Sequence, residues 1–85
     1  MQYEERWNIY QKALYYDQQG DWDRAHGLVD ELPGRDAARV HAYLHRVEGD
    51  DWNAGYWYRR AGVDFFDGSL PEEWALLWEE YGKLG

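Results

Sequence analysis

Apolar residues along this chain recur at spacings of three and four, and each recurrence is cut short by Gly or Pro, the punctuation of short helices. Trp7, Tyr10 and Leu14, flanked by Ile9, Ala13 and Tyr16, predict a first helix from Tyr3 to Gln19 that Gly20 ends. Asp21 is placed to cap a second helix carrying Trp22, Ala25, Val29 and Leu32, which Pro33-Gly34 stops. A third helix runs from about Asp36 to Gly49 with Val40, Leu44 and Val47 on one side. A fourth starts at Asp50 or Asp51, with Ala54, Trp57, Tyr58 and Ala61 as its stripe and Gly62 as its stop. The segment Val63 to Gly68 has no period and reads as a connector whose Phe65 and Phe66 fold back onto the core. Ser69-Leu70-Pro71-Glu72 matches a capping box, opening a last helix to Leu84 striped by Trp74, Leu77, Trp78 and Tyr81. Glu72 and Glu73 sit at its positive end and Lys83 at its negative end. The expected fold is all-α. It is a single domain over 1–85, with two stacked antiparallel helical hairpins (about 3–32 and 36–61), a connector (62–68) and a C-terminal capping helix (69–84).

A shift of 29 positions superposes Ala13 on Ala42, Gly20 on Gly49, Asp21 on Asp50 and Ala25 on Ala54, and sets Val29 on Tyr58. Small residues where helices touch, a Gly that reverses the chain and an Asp that caps the next helix, twice in register, imply two stacked hairpins. Tyr16-x-x-x-Gly20-x-x-x-x-Ala25 resembles the middle of a tetratricopeptide unit, and Ala54-x-x-Trp57-Tyr58-Arg59-Arg60-Ala61 resembles the end of a SEL1-like unit. The resemblance covers residues 7 to 62. The stretches from His41 to Asp50 and from Tyr56 to Gly62 are also similar to a group of small bacterial proteins without assigned activity. These resemblances imply a helical scaffold for protein contacts and no reaction. The short Glu48-Gly49-Asp50-Asp51 turn is closer to the tetratricopeptide form, and only two units are present where solenoids generally use three or more. The closing helix, or a second chain, is expected to complete the stack.

Composition narrows the functional classes. Sixteen aromatic residues among 85 compensate for the small core of so short a chain. There is no Cys, so disulfides and thiolate metal sites are excluded, and a reducing compartment is expected. The segment Met1 to Arg6 lacks the basic start and apolar stretch of a signal peptide, and no run is long enough to span a bilayer. Both point to the cytoplasm. A formal charge of −8 repels phosphate backbones and anionic lipid, so neither nucleic acid nor a membrane is an expected partner.

In tetratricopeptide units the first helix of each hairpin lines the concave face, and the resemblance places Tyr10, Leu14 and Asp17 there in the first hairpin and Arg39, Tyr43 and Arg46 in the second. Arg39, Tyr43 and Arg46 are the candidates to hold an acidic or C-terminal peptide segment, guanidinium groups gripping carboxylate. The simpler reading is a solvated helix face. His41 and His45 lie four apart with Glu48 three further on, a spacing that would suit Zn²⁺ only if His26 or another chain added ligands. Half-buried interface histidines explain the pair more simply, so no metal is expected. Nucleophilic catalysis lacks parts, since Cys and Thr are absent and Ser69, the one serine, is a helix cap. Asp21 and Asp50 recur as caps rather than as a catalytic pair. Arg59 and Arg60 suit the carbonyl end of the fourth helix. Tyr15, Trp52 and Tyr56 fall off the buried stripes and are candidates for an exposed aromatic patch.

The reading that follows is a non-enzymatic protein- or peptide-binding module with no cofactor. Its partner is a protein or peptide, either basic or carrying an acidic tail that the arginines grip. Two alternatives stand beside it: a structural protein that self-associates as a homo-oligomer through exposed aromatics, and a small acidic inhibitor or immunity-type protein that plugs a basic site.

Overall fold

The computed structural model describes residues 6–83, and among these it contains five α-helices and no strand. They are α1 (Ile9–Gln18), α2 (Trp22–Val29), α3 (Arg35–Val47), α4 (Asp51–Ala61) and α5 (Leu70–Gly82). No helix among the described residues is long and apolar enough to cross a membrane. Helices α1 and α2 pair as one hairpin and α3 and α4 as the other, with α3 also touching α1 and α2. Helix α5 lies across α1 and α3, the first helices of the two hairpins.

The internal repeat is visible in the backbone hydrogen bonds. At the first turn the Gly20 amide donates to the Asp17 carbonyl and the Asp21 amide to that of Tyr16, each at 2.9 Å. At the second, Gly49 donates to Arg46 at 3.0 Å and Asp50 to His45 at 2.9 Å, the same bonds 29 residues on. Both are Schellman turns, which require a left-handed residue, and Gly20 and Gly49 have φ of 85° and 84°. Asp21 and Asp50 then cap α2 and α4, each side chain accepting from the amide three residues on, Arg24 and Asn53. At the start of α5, Ser69 and Glu72 form the expected capping box, with bonds of 3.2 and 2.8 Å.

Two expected boundaries and one expected contact are corrected. Asn8 breaks the first helix and caps α1, exchanging reciprocal bonds with Gln11, so Trp7 lies before the helix. The expected start at Tyr3 and the end of the last helix at Leu84 lie outside the described residues. Helix α2 ends at Val29, leaving Leu32 beyond it and partly exposed. Of the two connector phenylalanines, Phe66 packs on the small cluster of Ala42, Ala54 and Tyr58, whereas Phe65 remains exposed beside the Tyr58 ring.

The larger core gathers Leu14, Val29, Val40, Tyr43, Leu44, Leu77 and Tyr81 from α1, α2, α3 and α5. Helix α3 is its axis, with eight buried residues. Two indoles tie helices to each other through backbone carbonyls. The Trp22 Nε1–H donates to the Leu44 carbonyl at 2.6 Å and the Trp74 Nε1–H to the Leu14 carbonyl at 2.8 Å. Asn8 Nδ2 donates to the Tyr81 carbonyl at 2.8 Å, so the cap of α1 also fastens the end of α5.

Two alanine substitutions of opposite sign test this backbone account. Gly49→Ala is expected to lower the unfolding free energy by about 1 kcal/mol because it forces a Cβ into a left-handed turn. Gly27→Ala, inside α2 with open space where the Cβ would go, is expected to raise it by about 0.5–1 kcal/mol. Urea unfolding followed by tryptophan fluorescence measures both, and equal effects would reject the account.

Candidate functional site

All six residues placed on the concave face by sequence lie along the surface that α5 covers. Tyr10 sets its ring 5.0 Å from the Tyr81 ring, and Leu14, fully buried, gives its carbonyl to Trp74. The Tyr43 hydroxyl, buried, donates to Asp17 Oδ2 at 2.7 Å. Burial pushes the Asp17 pKa upward, and the Tyr43 bond opposes that shift. Burial also pushes the Tyr43 pKa upward, strengthened by the bond to Asp17. Asp17 and Tyr43 open onto a depression of about 250 Å³ shared with Leu70, Pro71 and Trp74 at the start of α5, so the hydroxyl–carboxylate pair marks the edge of the covered surface.

Arg39 and Arg46 face a carboxylate, and it belongs to the chain itself. Glu73 of α5 is 0% exposed. Arg39 Nη1 donates to its Oε2 and Arg46 Nη1 to its Oε1, both at 2.7 Å. The Tyr58 hydroxyl donates to Oε2 as well, and Arg46 Nη2 reaches the Gly68 carbonyl at 2.8 Å. Burial works against the Arg46 charge, but the bond to Glu73 outweighs it and the net shift is upward. Burial and the adjacent Glu73 raise the Tyr58 pKa, so the phenol remains a donor. The sequence reading put Glu73 beside Glu72 as a charge favouring the helix N-terminus. Only Glu72 has that role, because Glu73 points inward from α5 to α3. Its place was legible in the stripe Glu73, Leu77, Tyr81, where it occupies a core position at a spacing of four.

A second constellation lies between α2 and α3. His26, His41 and His45 each place a ring nitrogen within 4.8 Å of those of the other two. His26 Nε2 and His41 Nε2 are 3.1 Å apart, and Asp30 Oδ1 lies 3.8 Å from the first and 3.6 Å from the second. The Glu48 carboxylate meets His45 Nδ1 at 2.6 Å. Trp22 stacks on His26 with centroids 4.7 Å apart, and Trp57 stacks on His41 at 4.0 Å. Burial, then the two neighbouring imidazoles, lower the His41 pKa to about 4.

The outer face of α4 is the third feature. Trp52 is 76% exposed and Tyr56, one turn on, is also exposed. Arg60 lies over Tyr56 at 5.7 Å and over Trp57 at 5.4 Å, and its Nη1 donates to the Tyr56 hydroxyl at 3.3 Å. Tyr15, the third off-stripe aromatic, is instead half-buried against Trp7 and Tyr16.

No protein-family model, no curated protein and no solved structure matches this chain.

Removing one partner of a buried ion pair leaves the other charges uncompensated. Glu73→Ala, which strands two guanidinium groups, is therefore expected to reduce stability by about 3–5 kcal/mol in urea unfolding. A loss under about 1 kcal/mol would mean that α5 is not held through this contact.

Proposed function

We propose that this chain is a non-enzymatic protein-binding module built of tetratricopeptide-like hairpins, with its own α5 occupying the concave face and the outer face of α4 meeting the partner. The observation that carries this reading is Trp52, a large apolar ring exposed on a regular helix with Tyr56 and Arg60 beside it. Trp, Tyr and Arg are the residues that dominate binding energy at protein interfaces. The matched Schellman turns and Asp caps of the two hairpins support the repeat resemblance. The six concave-face residues serve intramolecular recognition in this reading, since α5 already supplies the acidic segment that the arginines hold.

A charge of −8 favours a basic protein partner through faster, salt-sensitive association. The absence of cysteine is in keeping with a cytoplasmic setting. Self-association through the same aromatic face is the second reading, favoured by the same exposed Trp52.

Affinity purification from the source cells should compare the parent with Trp52→Ala/Tyr56→Ala, after circular dichroism shows equal helicity. Recovery of the bound protein is expected to drop by at least about tenfold, as for loss of interface anchors. Unchanged recovery would reject the α4 face as the partner surface. Light scattering over a concentration series separates the second reading, because assembly abolished by the same substitutions would assign the face to another copy of the chain.

A further inference from the structure

Three imidazoles converging between two helices is an arrangement that hairpin packing alone does not require. One ring nitrogen from each lies within 4.8 Å of the other two, so three nitrogen donors face a common point. His41 is 1% exposed, and its Nε2 faces both His26 Nε2 and Asp30 Oδ1. Neutral imidazole is the form that binds metal.

We propose that His26, His41 and His45, with Asp30 at the mouth, form a binding site for zinc or a zinc-like divalent transition-metal ion. The donor set is nitrogen-rich with one carboxylate, the chemistry that tetrahedral zinc accepts. Bonds of about 2.0–2.1 Å from a tetrahedral ion set its ligand atoms about 3.3–3.4 Å apart. The separations among His26 Nε2, His41 Nε2 and Asp30 Oδ1 are 3.1, 3.6 and 3.8 Å, which bracket that value. Small side-chain adjustments would bring them to it.

The surroundings match those of a metal site. Glu48 accepts from His45 Nδ1, fixing the tautomer in which Nε2 carries the free lone pair; such carboxylate–histidine pairs orient metal ligands. Trp22 and Trp57 stack on His26 and His41, holding the ring planes and excluding water from one side. Access comes through the Asp30 side chain, 55% exposed, and the half-buried His26. A rival set, His45, Glu48 and Asp50, shares one histidine with the site and uses carboxylates that are otherwise engaged, Glu48 with His45 and Asp50 with the α4 cap.

The test is zinc titration by calorimetry on the full chain after dialysis against EDTA, beside the variant His26→Gln. His26 is chosen because it is half-buried, whereas His41 is part of the core. The expected result is one ion per chain with a Kd at or below about 10 µM, weakened at least about tenfold by the substitution, and a melting temperature that rises with zinc. Histidine-selective NMR of the parent should show zinc moving the ring signals of all three histidines. No saturable binding by about 100 µM zinc would overturn the proposal. So would binding unaffected by His26→Gln, which would put the ion at His45, Glu48 and Asp50. Should the variant lose helicity, the NMR experiment decides alone: shifts that leave His26 and His41 unmoved reject the site.

Discussion

The buried carboxylate of Glu73 is the contact on which the arrangement of the whole molecule rests. A charge with no exposure must be matched closely, and here two guanidinium groups from one helix and a phenol from the next converge on both of its oxygens. Arg39 and Arg46 are seven residues apart, two turns, so they flank the carboxylate along the axis of α3. Tyr58 brings α4 into the same network. A helix that could otherwise slide along an apolar face is thereby fixed in one register, while Leu77, Tyr81 and Trp74 supply the apolar burial. An apolar residue at position 73 could be buried as well, but it would carry less information about where α5 belongs.

Much of the fold was legible because its determinants are local. Gly20 with Asp21 and Gly49 with Asp50 set their turns through bonds reaching no more than five residues, and Ser69 with Glu72 does the same for α5. Sequence spacing therefore reports them directly. Asn8 was missed for the opposite reason: the apolar period of Trp7, Tyr10 and Leu14 runs through it, and only the pairing with Gln11 and the bond to the Tyr81 carbonyl reveal a cap there.

The candidate site was legible in its residues but not in its occupant. Arg39, Tyr43 and Arg46 share one face of α3 by their spacing, and nothing local to α3 says that the carboxylate facing the arginines comes from α5. The histidine cluster shows the same limit. His41 and His45 share a face by their spacing, but His26 joins them only because α2 packs antiparallel to α1 and against α3, a relation that no short window of sequence contains.

Helix α5 is joined to α4 by the eight residues between Ala61 and Leu70. A short tether of this kind keeps its acidic helix at an effective concentration on the order of millimolar beside the arginine pair. Any free acidic peptide must compete with that standing supply, so weak or casual binders are turned away at ordinary cellular concentrations. The arginine pair is thus closed to carboxylate-bearing segments for as long as the last helix stays in place.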